Sequence, residues 1–310
     1  MKREVKAFAP ASVSNVACGF DIMGFALDQP GDMVTLRPNA SPGIRITVNG
    51  TAANAISTDP SKNTAAAPVA AMLKQNAAGI GVDIEIEKGV PVGGGIGSSA
   101  ASAVAAAVAC NELLGMNLSK EELLPFAIEG EKIASGAIHV DNLSPSLWGG
   151  FVLVRGYHPI DVVHIEVPPD LWCVVIHPCV EIRTMESRKL LPREVPLPDL
   201  ITQTGNAAGL IAGLLQKDYG LIGRSLQDVV AEPARKHTIP GFDEMKKVAL
   251  DKGALGCSIS GSGPSLFALA QSEQSARSVG EAMGSVLERL NCSHSMFVSR
   301  ICSEGAKVIQ

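Results

Sequence analysis

Two segments in the first third of the chain alternate apolar and polar residues. They cover residues 44–48 and residues 82–86, and this period of two predicts strands that bury one face. After the second segment comes a glycine-rich stretch at residues 93–97, and then an alanine-rich run at residues 100–114 that stops before Gly115. Because glycine commonly ends a helix, we predict a strand, a glycine loop and a buried helix in succession.

The same patterns predict further helices and strands along the chain. Ser119 and Glu122 have the spacing of a capping box, which predicts a helix to about residue 134 with a bend at Pro125. The other predicted strands cover residues 5–8, 151–155, 172–177, 255–259, 266–270 and 296–301, and the other predicted helices cover residues 200–216, 222–230, 242–252 and 275–290. The second half therefore predicts an α+β domain with helices on one face of an antiparallel sheet.

Composition narrows the class of protein. The chain has 310 residues with 46% hydrophobic and 18% charged residues, which favours a folded protein near the size at which one core divides into two. A net charge of -5, no basic cluster and 4% aromatic residues argue against a nucleic-acid partner. Seven cysteines without a CxxC pair suggest neither a disulfide framework nor a zinc site.

Localisation is predicted from two further patterns. The N-terminal residues 1–8 alternate charged and apolar types, so the apolar block of a signal peptide is not seen there. Residues 89–111 carry no charge, but their glycine, serine and alanine content is unlike a membrane span. We expect a cytoplasmic protein with no membrane partner.

The glycine loop is the strongest chemical signal. Backbone amides at a helix start can bind phosphate only where side chains leave room. The loop lacks the lysine of a GxxxxGK[ST] motif and the spacing of a dinucleotide fingerprint, and close helix packing would also explain its glycines. However, residues 10–24 and residues 258–267 have the same mixture of glycine and small hydroxyl residues. Three such loops in one chain favour a binding site.

These three segments, at residues 10–24, 91–102 and 258–267, closely resemble the motifs of the GHMP kinase superfamily. Asn15, followed by Gly-Phe-Asp at residues 19–21, is typical of the branch that phosphorylates L-homoserine. The resemblance spans nearly the whole chain. It implies an N-terminal domain like ribosomal protein S5 domain 2, with a left-handed βαβ crossover, and a ferredoxin-like C-terminal domain. We place these domains at residues 1–167 and 168–310. It also implies a homodimer.

The resemblance further implies ATP and Mg²⁺ as ligands of the first domain. Ser99 and Glu131 would hold the cation, which suits hard oxygen ligands, although Ser99 could simply cap a helix and Glu131 could lie on a solvated helix face. Asn63 would lie near the adenine. The residues assigned to ATP are Pro91, Val92, Gly93, Gly94, Gly95, Ile96, Gly97, Ser98, Ser99, Ala100, Asn63, Gly261 and Gly263.

L-homoserine is a zwitterion, so its site needs a cation for the carboxylate and an anion or amide for the ammonium. By resemblance, Arg188 and Arg235 clamp the carboxylate, although either could be an ordinary surface arginine. The residues assigned to the amino acid are Asn15, Asp21, His139, Asp141, Asn142, Arg188 and Arg235, and those assigned to catalysis are Asp141, Asn142, Glu131 and Ser99.

Two questions stay open from the sequence. Asp141 could accept the hydroxyl proton, or Asn142 at the hydroxyl would imply transfer without a strong base, and the adjacent acid and amide could also merely form a turn. The product would be O-phosphohomoserine, on the route to threonine.

The function itself also has alternatives. They are a GHMP kinase with another acceptor, such as mevalonate or a sugar, a non-enzymatic sensor on the same fold, and a purely structural α/β protein.

Overall fold

Among the residues that the structure describes, the first sheet contains seven strands. The computed structural model describes residues 2–50, 53–76, 79–136, 138–182 and 184–309. The strands are β1 (Val5–Ser14), β2 (Met23–Asn39), β3 (Ile44–Gly50), β4 (Gly81–Lys88), β5 (Phe151–Tyr157), β6 (Ile160–Ile165) and β11 (Lys307–Val308). The strand order is β11-β1-β2-β4-β3, with β5 and β6 attached through β2. Only the β3–β4 pair among these named strands is parallel, and α1 (Ala66–Gln75) connects it.

The long second strand was not predicted. The sequence predicted a strand only over residues 5–8 in this region, whereas β1 continues to Ser14 and β2 runs for 17 residues. One part of β2 pairs with β4 and another part pairs with β5. The proline and glycine residues within β2 mask its alternation of apolar and polar positions.

Helices cover one face of this sheet. They are α1, α2 (Ser98–Leu114), α3 (Lys120–Ser135) and α4 (Val140–Trp148), with single 3₁₀ turns at Ala53–Ala55 and Pro60–Lys62. The capping box of Ser119 and Glu122 is confirmed, and α2 ends at Gly115 in a left-handed conformation, as predicted. Asp141 and Asn142 lie in the first turn of α4, so they do not form an isolated turn.

In the described part of the chain, the second sheet has four antiparallel strands. They are β7 (Trp172–Pro178), β8 (Gly256–Ile259), β9 (Leu266–Ala270) and β10 (His294–Arg300), in the order β10-β7-β9-β8. Numbered along the chain, this order is fourth, first, third, second, which is the predicted ferredoxin-like arrangement. The helices of this half are α5 (Thr184–Lys189), α6 (Leu197–Gln216), α7 (Tyr219–Ser225), α8 (Ala231–Arg235), α9 (Phe242–Asp251) and α10 (Glu273–Arg289), with a 3₁₀ turn at Lys236–Thr238.

One predicted helix, over residues 222–230, was wrong in its extent. Helix α7 ends at Ser225, and the Asp228 carboxylate then accepts hydrogen bonds from the amides of Val230, Ala231 and Glu232. An aspartate that binds these amides starts a new helix and competes with continuation of the old one. Among the described helices, none has the length and apolar content needed to cross a membrane.

Three apolar clusters hold the layers together. The first lies between the seven-stranded sheet and its helices, the second between the two sheets, and the third between the four-stranded sheet and α9 and α10. In the middle cluster, the Phe25 ring lies 6.1 Å from Phe151 and 6.0 Å, edge to face, from Phe267. The chain also returns to the first sheet where β11 pairs with β1. A boundary at residues 167/168 would fall between β6 and β7, and it stays a prediction.

Candidate active site

The three glycine- and hydroxyl-rich segments meet in one place. The amide of Ser12 donates to the Ile96 carbonyl at 3.2 Å, and the amide of Gly261 donates to the Ser14 carbonyl at 3.1 Å. The Ser260 hydroxyl donates to the Gly95 carbonyl at 2.8 Å. Hydrogen bonds to main-chain carbonyls therefore join the loops of both sheets into the walls of one cleft, with a volume of about 420 Å³.

Most of the residues predicted from the sequence line this cleft. They are Asn15, Asp21, Asn63, Val92, Gly93, Gly94, Gly95, Gly97, Ser98, Ser99, Glu131, His139, Asp141, Asn142, Arg188, Arg235 and Gly261. The other four, Pro91, Ile96, Ala100 and Gly263, are buried behind the surface of the cleft. These four can shape the loops but do not present a side chain to a ligand.

The glycine loop approaches its neighbours too closely for side chains. Gly95 and Gly97 have φ values of 71° and 68°, in the left-handed region. A Cβ atom on Gly95 would lie 2.4 Å from the Ser260 carbonyl oxygen, and one on Gly97 would lie 2.2 Å from Ser12 Oγ. Helix α2 begins directly after this loop, so its first amides face the cleft beside Ser98 and Ser99. Such a helix start favours an anion.

A buried ion pair stabilises the two ends of the glycine loop. The Lys88 ammonium contacts the Asp32 carboxylate and donates to the Ser98 carbonyl and the Ser102 hydroxyl, both at 3.0 Å. Asp32 also accepts from the amides of Gly89 and Val90 at 3.1 Å. The sequence interpretation missed this pair. One sequence feature could have indicated it: Lys88 is the last charged residue before the uncharged stretch at residues 89–111.

Ser99 and Glu131 bring two oxygen donors together. The Ser99 hydroxyl donates to Glu131 Oε1, and His139 Nδ1 lies 3.0 Å from Glu131 Oε2. Glu131 is 2% exposed, so it does not lie on a solvated helix face. A hydroxyl and a carboxylate beside a loop that favours anions are the kind of ligands that Mg²⁺ takes together with substrate phosphates. The residues present therefore fit this ion.

Asp141 presents a buried carboxylate to the cleft. Its side chain is 1% exposed, and Oδ1 has no hydrogen-bond partner among the described residues. Burial, together with the charge of Asp21, raises the pKa of Asp141 to about 7, whereas His139 and the Asn15 amide oppose this rise. An uncompensated carboxylate in such a place is suited to a cation supplied by a ligand.

Two arginines from the second half face these carboxylates. Arg188 Nη2 donates to both carboxylate oxygens of Asp21, at 2.9 and 2.8 Å. Arg235 is 3% exposed and donates to the carbonyls of Gly261 and Ser187, at 3.1 and 3.4 Å. Arg235 is therefore not an ordinary surface arginine. Both guanidiniums lie over the ring of Phe20, which the sequence interpretation had not singled out.

The loop that carries Asp21 is held in an unusual backbone conformation. Asn15, Val16, Ala17 and Asp21 all have positive φ values, between 41° and 67°. Asn15 stabilises this conformation, since its side chain donates to the Gly261 carbonyl at 2.7 Å and accepts from the Asp21 amide at 2.9 Å. Tyr157 Oη donates to the Asp21 carbonyl at 2.6 Å. Left-handed residues of this kind are concentrated at functional sites.

At the other end of the cleft, Asn63 has a structural role. Its side chain donates to the Ser57 carbonyl at 2.7 Å and accepts from the amides of Ala65 and Ala66, at 2.9 and 3.3 Å. These bonds start α1, and the predicted contact with adenine stays a prediction. The apolar lining here comes from Ile56, Val92 and Ile133, a surface that suits a flat heterocycle.

Comparisons with known proteins agree with this geometry. The family model "GHMP kinases N terminal domain" matches residues 63–150, and "GHMP kinases C terminal" matches residues 210–289. A homoserine kinase from Chlorobium phaeobacteroides is 48% identical, and the match covers 99% of this chain and 100% of the relative. A homoserine kinase from Chlorobaculum tepidum is 47% identical over 99% of this chain and 98% of the relative.

A solved structure is similar throughout. The crystal structure of homoserine kinase from Cytophaga hutchinsonii superposes with a TM-score of 0.96 at 49% identity, covering 100% of this chain and 98% of the other. Similarity of this extent applies to both sheets and to the cleft between them.

Proposed function

The chain belongs to the GHMP kinase family, and from that premise we propose that it transfers the γ-phosphoryl group of ATP to the side-chain hydroxyl of L-homoserine. The products are ADP and O-phospho-L-homoserine, an intermediate of threonine biosynthesis. One observation supports the proposal: the glycine loop at the start of α2 and a pair of carboxylates facing a pair of arginines line the same cleft.

The donor half binds the nucleotide. The triphosphate lies against the amides of residues 93–99, and the base lies on the apolar surface beyond them. Ser99 and Glu131 would hold Mg²⁺, which when bound neutralises phosphate charge. Lys88 and Asp32 keep the start of α2 in place, so the amides are already oriented when the nucleotide arrives.

The acceptor half binds the amino acid by charge. The planar guanidinium of Arg235, with Arg188 beside it, receives the carboxylate through paired hydrogen bonds. Asp141 and Asp21 receive the ammonium, which compensates the buried Asp141 Oδ1. Asn15 acts mainly by holding Asp21. His139 and Asn142 lie in the same wall and complete the pocket around the hydroxyl.

Phosphoryl transfer then requires mainly positioning. The hydroxyl oxygen forms a bond to the γ-phosphorus as the bond to the β,γ-bridging oxygen breaks, and ADP leaves with that electron pair. The hydroxyl proton passes either to Asp141 or to the transferred phosphoryl group. Because the transition state is loose, orientation of the two substrates supplies most of the rate enhancement.

Other acceptors fit this cleft less well. Mevalonate has a carboxylate for the arginines but no ammonium for Asp21 and Asp141, and a sugar has neither charge. A sensor would have no need of the contact between Ser99 and Glu131. Mg²⁺ as the cation, a homodimer and a cytoplasmic location remain parts of the proposal.

An acceptor panel tests the proposal directly. The purified protein is incubated with ATP, Mg²⁺ and L-homoserine, R-mevalonate, D-galactose or L-serine, and ADP release is coupled to a dehydrogenase assay. Phosphorus NMR identifies the product. We expect a new phosphomonoester only with L-homoserine. Turnover of mevalonate or galactose without turnover of L-homoserine would overturn the proposed acceptor.

A further inference from the structure

Phe20 is an aromatic residue that does not belong to the core. It lies half-buried in the loop between β1 and β2, and it is in none of the three apolar clusters formed by the described residues. Its neighbours are instead two cations. The Arg188 guanidinium carbon lies 5.7 Å from the ring centroid, and that of Arg235 lies 5.1 Å from it.

The two guanidiniums need such a partner because they repel one another. Asp21 binds Arg188, whereas Arg235 donates, within the described residues, to main-chain carbonyls, which carry no net charge. Burial lowers the pKa of Arg235, the charge of Asp21 opposes this, and the charge of Arg188 lowers the pKa further, as expected for two cations that repel each other. An aromatic face attracts cations without forming an ion pair, so it stabilises both arginines and leaves their donors available.

We infer that Phe20 is a positioning residue for the acceptor: its ring holds Arg188 and Arg235 side by side, at a spacing that lets both reach one carboxylate. This role presupposes the proposed function. Other cation–ring contacts differ in kind. In the described part of the chain, Phe242 faces only Lys246 and Trp172 faces only Arg300, and neither of these cations lines the cleft, whereas Arg188 and Arg235 both do.

Neither an acidic nor an aliphatic side chain at position 20 would hold the arginines as the ring does. A carboxylate would pair with the arginines and compete with the carboxylate of the substrate. A leucine would keep apolar bulk but would lack the negative face of the ring. The ring therefore attracts the two guanidiniums without competing with the substrate carboxylate for their N–H groups. This property distinguishes Phe20 from Asp21.

Phe20→Leu is the central test, with steady-state kinetics in ATP and L-homoserine. We expect the KM for L-homoserine to rise roughly tenfold, because two partly buried cation–ring contacts are lost. The kcat and the KM for ATP should change by less than about twofold, because the ring acts through two arginines assigned to the acceptor. Phe20→Tyr, which keeps the aromatic face, should restore the KM for L-homoserine.

A second acceptor separates positioning from general damage. The compound 3-aminopropan-1-ol keeps the hydroxyl and the ammonium of homoserine but lacks the carboxylate. Its kcat/KM should be the same for Phe20→Leu and for the unchanged protein, because it does not use the arginines. The matched control, Trp172→Leu, removes a ring that faces one guanidinium outside the cleft and should leave both acceptors unaffected.

The outcomes distinguish this role from the proposed function. Failure of the unchanged protein to phosphorylate L-homoserine would overturn the proposed function. If L-homoserine is phosphorylated normally and Phe20→Leu keeps its KM, the positioning role is wrong. Equal losses of kcat/KM for both acceptors, or failure of Phe20→Tyr to recover, would also show that Phe20 acts on the fold rather than on the arginines.

Discussion

Arg188 and Asp21 form an ion pair across the mouth of the cleft, with Nη2 at 2.9 and 2.8 Å from the two carboxylate oxygens. Each partner is assigned to one end of the same zwitterionic substrate. We therefore propose that the amino acid enters by exchanging partners, so that its carboxylate takes Arg188 and its ammonium takes Asp21. Both side chains are partly exposed, so little desolvation opposes the exchange.

Arg235 is buried and, among the described residues, has no such carboxylate partner to exchange, so it should contribute more to acceptor binding. We expect Arg235→Leu to raise the KM for L-homoserine by about 30- to 1000-fold, because a buried charged hydrogen-bond donor is lost. The affinity for ATP, measured by calorimetry, should stay nearly constant. Arg277→Leu, at an exposed pair on α10, is the control. A large loss of ATP affinity would contradict the assignment.

Asp141→Asn tests whether this carboxylate is an essential base. We expect the KM for L-homoserine to rise and kcat, at saturating acceptor, to fall by less than about tenfold, because Asp141 mainly binds the ammonium. Rapid-quench measurement of the first turnover separates chemistry from product release. A fall in kcat of two or more orders of magnitude would instead identify Asp141 as the base.

The raised pKa of Asp141 also makes stability depend on pH. Burial raises this pKa from 3.8 to about 7 in the folded protein, so ionisation opposes folding increasingly as pH rises between these values. Asp141→Asn should therefore be more stable than the unchanged protein at pH 8, by on the order of a few kcal/mol. Below pH 3.8 the two should converge. Thermal unfolding of both proteins across this pH range measures the difference. If the two proteins show the same dependence of stability on pH, the prediction is wrong.

Glu131→Gln removes the charge of one proposed Mg²⁺ ligand but keeps its shape. We expect kcat to fall about 100-fold or more, and the Mg²⁺ concentration for half-maximal rate to rise, because an amide oxygen is a weaker ligand. The KM for L-homoserine should change little. Glu129→Gln, at an exposed position on the same helix, is the matched control. An unchanged Mg²⁺ dependence would argue against this ligand.

Gly95→Ala tests the close approach of the glycine loop. The new Cβ atom would lie 2.4 Å from the Ser260 carbonyl at a φ of 71°, so the loop must move. We expect weaker ATP binding and a free energy of unfolding lower by about 1 to 3 kcal/mol. In Gly205→Ala, on α6, the Cβ atom meets nothing within 4 Å, and the helix should gain up to about 1 kcal/mol. Urea titrations and nucleotide calorimetry compare the two variants.

Prediction from the sequence succeeded where short segments determine the structure. The strand, glycine loop and helix around residues 82–114 follow from local periodicity and from glycine, and the capping box of Ser119 follows from four consecutive residues. It failed for β2, because proline and glycine interrupt its pattern, and for the extent of α7, because Asp228 begins a new helix. In both cases the apolar pattern along the chain and the individual residues within it favour different structures.

The site shows the same division. The motifs identified Ser99, Glu131 and Arg235 as residues with a role. From the motifs alone, Glu131 could still lie on a solvated helix face and Arg235 could still be a surface arginine. Burial depends on which elements pack against a helix, and the motifs do not contain that information.

Phe20, Tyr157 and the pair of Lys88 with Asp32 appeared only in three dimensions. Each of these contacts joins residues far apart in the chain, and no spacing along the sequence encodes such a distance. The sequence by itself determined the chemical groups, the local backbone and the family. Tertiary structure alone decided which charges lie together out of water, because that depends on how two sheets pack around one cleft.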